Sequence, residues 1–342
     1  MDHTNNKFAL LIGINYINNE KNKLYGCHID VDKYKDVLIN NFNYDKNNII
    51  MLKDDGIDIN NYPTGENIVN KLFNMAELSK KININEVTIY YSGHGGNVND
   101  IDGDEKNNQN VEIGIDDKDE CILPYDYNTR GVITDDLINR ILKEFNLNTK
   151  IICVFDCCHS GTCTDLPYSY LCKENNLNKI KTSDKIMRNK NIFALSGCSD
   201  VQTSIEISTN GKSNGGVLTN ALIATLQINE YNCTVKELFD GINLEFNKLK
   251  QSGFNVTQNP ILAFSSENCD KNTVVFNNSY SVVNKNNSSV SSSESKTKTN
   301  SDNLSKTVND RFNINNDNNY GNLIMYGLIT IAFFIIFGTI FF

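Results

Sequence analysis

The stretch VTIYYSGHGG, residues 87–96, is an apolar run that ends at a histidine between glycines. A second stretch, IICVFDCCHSG at residues 151–161, is built in the same way and ends in two adjacent cysteines. Short runs of β-branched and aromatic residues bounded by glycine are typical of buried strands. Ligands of a parallel sheet bind beyond the carboxyl ends of its strands, and both stretches carry reactive side chains at such an end. Taken alone, a histidine between glycines favours a turn that happens to contain a histidine.

Similar apolar runs recur along the chain and alternate with helical patterns. This order predicts an α/β fold with a mainly parallel six-stranded sheet flanked by helices on both faces. The predicted strands are 8–14, 48–52, 87–91, 150–155, 192–195 and 261–264. The predicted helices are 29–41, 64–80, 135–144, 216–226 and 235–250.

Composition limits the kind of protein. Of the 342 residues, 39% are hydrophobic and 21% are charged, which fits a soluble globular body. The net charge of -9 argues against nucleic acid as a partner. The 10 cysteines are scattered without zinc-like spacing, and they indicate reduced thiols in a cytosolic protein.

The chain divides into three regions. Residues 1–276 have a globular composition, and residues 277–321 read as a disordered Asn/Ser-rich linker. Residues 323–342 form an uncharged apolar run, and about 20 residues rising about 1.5 Å each would span a membrane. Since nothing at the N-terminus resembles a signal peptide, we expect a transmembrane anchor and a cytosol-facing, tail-anchored protein on an intracellular membrane. The alternative for this run is a buried core helix.

Strand alternation separates the two adjacent cysteines. In an extended strand Val154, Asp156 and Cys158 share one face, whereas Cys157 lies on the other. We therefore expect Cys157 to be a buried structural thiol and Cys158 to be exposed at the tip of the strand, on the same face as Asp156.

A cysteine and a histidine beyond neighbouring strands can form a catalytic dyad. Cys158 is the predicted nucleophile and His94 the predicted general base. The backbone N–H groups of Cys158 and Gly95 are candidates to stabilise the oxyanion. His159 is a competing base, although its side chain should diverge from that of its neighbour Cys158.

The motifs resemble those of metacaspases, a caspase-like family of cysteine peptidases. SGHG at 92–95 and DCCHSG at 156–161 are similar to the family's histidine and cysteine signatures. Other similar segments follow in the family's order over about residues 7–270: ALLIGINY at 9–16, LYGCHIDV at 24–31, GVITDD at 131–136, SGCSDVQTS at 196–204 and GGVLT at 215–219.

The resemblance implies a caspase/hemoglobinase fold, with a large-subunit-like part at 7–172 and a small-subunit-like part at 191–276. It also implies cleavage after Arg or Lys, in a substrate pocket lined by Cys27, Asp30, Ser92 and Asp156. Independently of the resemblance, a carboxylate beside the nucleophile favours a cationic P1 side chain, because the two can form charge-assisted hydrogen bonds. The alternatives are that Asp30 and Asp156 are strand-end turn residues, or that Asp156 orients His94.

Calcium is a further implication of the resemblance. Asp119, Asp135, Asp136 and Asp165 fall on the family's Ca²⁺-binding positions, and carboxylates are the ligands that this hard cation takes. The alternative is solvated surface acid, because Asp135 and Asp136 also suit the start of a helix.

The chain departs from the family at several points. Ile29 stands where Asn is usual, and no Pro-rich N-terminal segment is evident. The Lys-rich linker 173–191 is a predicted self-cleavage region. The sequence thus predicts a monomeric, calcium-activated cysteine endopeptidase that cleaves protein or peptide substrates after Arg or Lys through an acyl-enzyme. The alternatives are a catalytically silent membrane-tethered scaffold and a related peptidase with another P1 preference.

Overall fold

The computed structural model describes residues 6–99, 118–157, 161, 163–173, 176–197, 206–209, 212–254, 256 and 259–278. The strands are β1 (Lys7–Gly13), β2 (Ile49–Lys53), β3 (Glu86–Ser92), β4 (Gly95–Asn99), β5 (Lys118–Ile122), β6 (Ile133–Thr134), β7 (Lys150–Asp156), β8 (Tyr168–Lys173), β9 (Asn176–Lys181), β10 (Ile192–Ser196), β11 (Glu206–Thr209), β12 (Lys212–Gly216), β13 (Cys233–Thr234), β14 (Ile261–Phe264) and β15 (Val274–Phe276). The helices are α1 (Cys27–Phe42), α2 (Gly65–Lys81), α3 (Tyr127–Arg130), α4 (Asp135–Glu144), α5 (Val217–Ile228) and α6 (Val235–Gln251).

The central sheet has eight strands in the order β2-β1-β3-β7-β10-β14-β8-β9. The first five are parallel to one another, and β14 runs antiparallel to β10. These six adjacent strands are the six that the sequence predicts, so the α/β, mainly parallel fold is confirmed.

The β8–β9 hairpin extends the sheet beyond the predicted six strands. It uses residues 176–181, which the sequence analysis assigned to a linker. The six residues of β9 are exposed or half-buried, so they lack the apolar run that identified the other strands. The predicted strand number is therefore corrected from six to eight.

Helices cover both faces of the sheet. Leu10 of β1 packs in the cluster that holds Ile68 of α2 and Ile141 of α4. Leu11, the next residue, packs in the opposite cluster with α1, α5 and α6. Because β1, β3 and nearly all of β7 are buried, these strands read as continuous apolar runs rather than alternating ones.

Threonine caps start the helices that flank the site. Thr134 Oγ1 accepts the N–H of Leu137 at 3.4 Å, which places Asp135 and Asp136 in the first turn of α4. In contrast, the residue before α5 is Gly216, which offers no side-chain cap. The first N–H groups of α5 donate to carboxylates from other elements, described below.

The predicted membrane anchoring is corrected. Among the residues that the structure describes, no helix has the length and apolar character needed to cross a bilayer. The run 323–342, on which the expectation rested, lies outside the described residues, as does the linker from 279 onward. The tail-anchored, cytosol-facing assignment therefore has no support and is not retained.

Candidate active site

The carboxyl ends of β3 and β7 lie side by side. Ser92 pairs with Asp156 in parallel register, and Gly13 at the end of β1 pairs with Ser92 on its other side. His94 is two residues beyond Ser92, and Cys158 is two residues beyond Asp156. The predicted proximity of the two strand ends is thus found, while Cys158 and His159 themselves lie outside the described residues.

The alternation that distinguishes the two cysteines holds along β7. Cys157 is fully buried, in the same apolar cluster as Cys153 and Phe155. Val154 lies in the cluster on the opposite face of the sheet. Cys157 is therefore the buried thiol of the pair, as predicted.

The His94 side chain is oriented by a backbone carbonyl. Its Nε2 lies 2.7 Å from the carbonyl oxygen of Asn22, which can only accept a hydrogen bond. The ring proton of the neutral imidazole is therefore on Nε2, and Nδ1 is the nitrogen that can accept a proton. Sequence reasoning missed Asn22 because the contact uses its backbone, which leaves no residue signature.

Close packing requires the glycine that precedes His94. A Cβ at Gly93 would lie 2.6 Å from the Tyr91 hydroxyl oxygen.

After His94 the chain continues into β4, where Gly95 pairs with Ile122 of β5. The Leu123 N–H donates to the His94 carbonyl at 3.1 Å. By the alternation of an antiparallel ladder, the Gly95 N–H then points away from β5.

Asp30 and Asp156 form a buried pair of carboxylates beneath the strand ends. Asp30 Oδ2 accepts the Ser92 hydroxyl proton at 3.0 Å, and Asp30 Oδ1 accepts the Gly216 N–H at 2.9 Å. Asp156 Oδ2 accepts the N–H and hydroxyl of Thr219 at 2.9 and 2.6 Å. Three of the four predicted pocket residues are thus brought together.

Cys27, the fourth predicted pocket residue, begins α1 one turn before Asp30. It is buried, and its backbone N–H donates to Asn15 Oδ1 at 3.0 Å. Thr219 was not singled out from the sequence, although it belongs to the GGVLT segment. Its hydroxyl also lies 2.6 Å from that of Tyr90, so the pocket wall continues into the sheet.

Two glycines make room for the carboxylates. A Cβ at Gly215 would lie 2.0 Å from Asp30 Oδ1, and one at Gly216 would lie 2.1 Å from Asp156 Oδ2. Burial, followed by the negative charge of Asp156, raises the pKa of Asp30 to about 8. Two buried carboxylates that contact the start of the same helix favour a cationic ligand.

A second acidic cluster lies next to the strand ends. One carboxylate oxygen each from Asp119, Asp135 and Asp136 lies within 4.8 Å of the others. Burial, followed by the charge of Asp165, raises the pKa of Asp135 well above its usual range. Three of the four predicted calcium ligands are thus clustered, and the fourth, Asp165, is near enough to repel Asp135. Their carboxylate oxygens suit a hard divalent cation.

Lys185 supplies positive charge to this cluster. Its Nζ lies 2.6 Å from Asp136 Oδ1 and 2.6 Å from Asp165 Oδ2. Lys185 comes from the segment after β9, within the predicted self-cleavage linker. Sequence reasoning treated the lysines there as cleavage sites and missed this contact, because residues 20 and 49 positions apart leave no local pattern.

Comparisons with known proteins agree with these features. The family model "Metacaspase, peptidase C14 domain" matches residues 7–167. Metacaspase-1 of Saccharomyces cerevisiae is 33% identical over 267 residues, covering 78% of this chain and 54% of that protein. Metacaspase-2 of Arabidopsis thaliana is 32% identical over 254 residues, covering 68% and 57%. The chain thus spans about half the length of these relatives.

A solved structure shows the same fold at low identity. The crystal structure of a Geobacter sulfurreducens protein superposes with a TM-score of 0.50 at 18% identity, covering 76% of this chain and 93% of that one. The sheet and the motifs at its strand ends are those of a caspase-like cysteine-type peptidase. Within that class, the chain belongs to the metacaspase family.

Proposed function

We propose that this metacaspase is a calcium-activated endopeptidase that cleaves after Arg or Lys, with Cys158 as nucleophile and His94 as base. The observation that carries the proposal is the buried pair Asp30 and Asp156 beneath the strand ends that lead to these two residues. Two desolvated carboxylates in one pocket need a cationic partner, which a P1 Arg or Lys side chain would supply.

The proposed chemistry follows from the orientation of His94. Nδ1 takes the thiol proton of Cys158, and the thiolate attacks the substrate carbonyl carbon. The N–H groups of Gly95 and Cys158 are proposed to stabilise the oxyanion. The C–N bond then breaks, His94 returns the proton to the leaving amine, and a thioester remains. Water, deprotonated by His94, attacks the thioester and releases the acid and the thiol.

The carbonyl of Asn22 supports this role of His94. It holds the proton on Nε2, so that Nδ1 is unprotonated before the reaction. When His94 gains the second proton, the imidazolium donates to the same carbonyl, which stabilises the charge. A base must carry the correct tautomer before catalysis, and this contact selects it.

For P1 recognition, we propose that the guanidinium of Arg binds both carboxylates. The planar fork of Arg can donate to two carboxylates at once, whereas Lys offers a single point charge. The charge of Asp156 disfavours ionisation of Asp30 in the substrate-free pocket. A bound cation would relieve this repulsion. We therefore expect the two carboxylates to bind a cationic substrate side chain in preference to water.

For calcium, Asp119, Asp135, Asp136 and Asp165 are the proposed ligands. A bound Ca²⁺ would supply positive charge that links β5 and α4 to the segment that follows the nucleophile. Lys185 balances part of this negative charge and would have to leave Asp136 and Asp165. Self-cleavage within 173–191 stays a prediction, and release of Lys185 would make that segment accessible.

A monomer is proposed on the character of the sheet edge. β9 is the last strand of the sheet. Its residues Lys179 and Lys181 both have exposed side chains. Charged side chains on an edge strand oppose pairing with another copy.

The test compares fluorogenic peptides that differ only at P1, with Arg, Lys, Asp or Asn. Each is incubated with the purified chain, with Ca²⁺ or with a chelator. We expect cleavage of the Arg and Lys peptides only, in the presence of Ca²⁺, and none by the Cys158→Ala variant. Cleavage by that variant, or a preference for Asp or Asn, would contradict the mechanism or the specificity. No cleavage at all would favour a silent scaffold.

A further inference from the structure

The hydroxyl of Tyr16 is hydrogen-bonded to the backbone of the proposed base. Tyr16 Oη accepts the N–H of His94 at 2.9 Å and donates to the carbonyl of Leu123 at 2.6 Å. Its ring lies against the imidazole, with 4.7 Å between the centroids and 34° between the planes. One side chain therefore contacts both the backbone and the ring of His94.

Tyr91, on the strand that leads to His94, also holds the His94 backbone in place. Its hydroxyl donates to the His94 carbonyl at 2.6 Å and lies 3.2 Å from the Tyr16 hydroxyl. Both tyrosines are fully buried, so these bonds do not exchange with bulk water. The N–H and the carbonyl of His94 are thus each bonded to a phenol, within a glycine-flanked turn.

Tyr16 itself is held in a costly conformation. Its φ is +51°, in the left-handed region that side chains other than glycine rarely adopt. The buried Asp54 fixes both neighbours, since its carboxylate accepts the N–H of Asn15 at 2.8 Å and of Ile17 at 2.9 Å. Strained residues of this kind persist where the surroundings hold them, and they cluster at functional sites.

The same loop supplies the carbonyl that selects the His94 tautomer. Asn22 lies six residues after Tyr16, and its carbonyl accepts from Nε2. A single loop therefore fixes the backbone of His94, supports one face of its ring and holds its proton. Together these contacts restrict the orientation of the imidazole ring.

We propose that Tyr16 is a positioning residue for the general base, acting through its hydroxyl on the His94 backbone and through its ring on the imidazole. The proposal deepens the proposed function, because it rests on His94 being the base. A misplacement of about 1 Å costs a catalytic step about 100-fold, so a base on a short turn needs such fixation.

The test compares Tyr16→Phe with Tyr34→Phe. The first variant keeps the ring contact but removes the hydroxyl. The second removes a buried hydroxyl that has no hydrogen-bond partner among the described residues, from a ring stacked on Tyr90 at 4.8 Å. With an Arg-P1 peptide, we expect Tyr16→Phe to lower kcat about tenfold or more with KM changed less than about twofold. Tyr34→Phe should leave both within about twofold of the parent chain.

A second readout is independent of turnover. The chain has 4 histidines, so the His94 ring signals in ¹⁵N-histidine NMR spectra can be assigned with His94→Ala. We expect a single Nε2–H tautomer in the parent chain and a mixture of tautomers in Tyr16→Phe. This arm separates the two proposals, since it reports on His94 even if no peptide is cleaved.

Unchanged kcat together with unchanged His94 signals in a folded Tyr16→Phe chain would overturn the role of Tyr16. If thermal melting shows that Tyr16→Phe does not fold, the same measurements are made on Tyr91→Phe instead. That variant removes the donor to the His94 carbonyl and should alter the same signals. Parent-like kinetics and spectra in a folded Tyr91→Phe chain would then reject the proposal.

Discussion

Asp30 and Asp156 both accept hydrogen bonds from the first turn of α5, although Asp30 lies in α1 and Asp156 ends β7. The N-terminus of a helix favours negative charge, which makes the start of α5 a platform for the two carboxylates. It does not offset their burial and mutual repulsion, because the pKa of Asp30 is still raised to about 8. The pocket therefore has a demand for positive charge, which the nearby Lys33 offsets only in part.

This demand predicts a pH-dependent affinity for a small cation. In the Cys158→Ala chain, benzamidine should bind more tightly as pH rises, levelling off above about 8. Below that value Asp30 holds a proton that the amidinium must displace, so affinity should fall by up to about tenfold per pH unit. Isothermal titration calorimetry measures the slope. The slope should vanish in an Asp30→Asn, Cys158→Ala chain, and its persistence there would show that another group titrates.

The same shift has the opposite sign for folding stability. The pKa of Asp30 is raised by burial and by Asp156 from 3.8 to about 8, so the folded chain binds more protons than the unfolded chain between these values. Stability due to this group is therefore full at low pH and declines as pH rises through the window. Urea unfolding on both sides of it should show a smaller decline for Asp30→Asn than for the parent. An equal decline in stability for the two chains would mean that ionising Asp30 costs the folded chain little free energy.

Gly215, just before α5, and Gly253, just after α6, allow a matched pair of substitutions. Gly215 (φ +91°) and Gly253 (φ +90°) share a left-handed backbone, but a Cβ has open space only at Gly253. Gly253→Ala should cost about 1 kcal/mol of stability without changing activity. Gly215→Ala adds a clash with Asp30 and should lower kcat/KM for an Arg-P1 peptide about 100-fold. Similar kinetics for the two variants would show that the pocket tolerates the displacement.

The sequence allowed the six central strands and five helices to be predicted, because their apolar periodicity reflects burial on one or both faces of the sheet. The grouping of Asp30, Ser92 and Asp156 followed from the resemblance to the metacaspase motifs, and the parallel strands bring Ser92 and Asp156 to one edge. What escaped prediction depends on backbone contacts and on long-range pairing. The carbonyl of Asn22 has no side-chain signature, β9 lacks an apolar run, and the bridge from Lys185 to Asp136 and Asp165 joins distant segments.

The Lys185 bridge predicts competition with calcium. Lys185→Met removes an ammonium that must leave before the ion can bind, so the apparent affinity for Ca²⁺ should rise about tenfold or more. Without Ca²⁺ the same variant should melt at a lower temperature, because Asp136 and Asp165 lose a partner. Calorimetry and thermal melting measure the two effects.

Lys181→Met is the matched control for this experiment. Lys181 pairs with Asp184 on the exposed edge hairpin, outside the acidic cluster. Lys181→Met should leave the Ca²⁺ affinity unchanged. Asp135→Asn should abolish Ca²⁺ binding. Equal affinities in the Lys185→Met chain and the parent would contradict the competition, while binding that survives Asp135→Asn would place the ion elsewhere.

The last prediction concerns Asp54, which anchors the loop that holds His94. Burial alone would raise the pKa of Asp54, but the hydrogen bonds from His28 and from the N–H groups of Asn15 and Ile17 outweigh it and lower the pKa. The stability that Asp54 contributes is therefore present above its unfolded pKa and is lost as pH falls through the lower folded value.

Asp54→Ala should lower the free energy of unfolding by about 2–4 kcal/mol, because two buried N–H groups lose their acceptor. It should also lower kcat more than it raises KM, since the loop carries both Tyr16 and the carbonyl of Asn22. Asp45→Ala is the control, because Asp45 likewise caps a backbone N–H, that of Asn47, but at an exposed turn. Urea unfolding and steady-state kinetics decide: an Asp54→Ala chain that is destabilised yet keeps the parent kcat would show that the loop stabilises the fold without positioning the base.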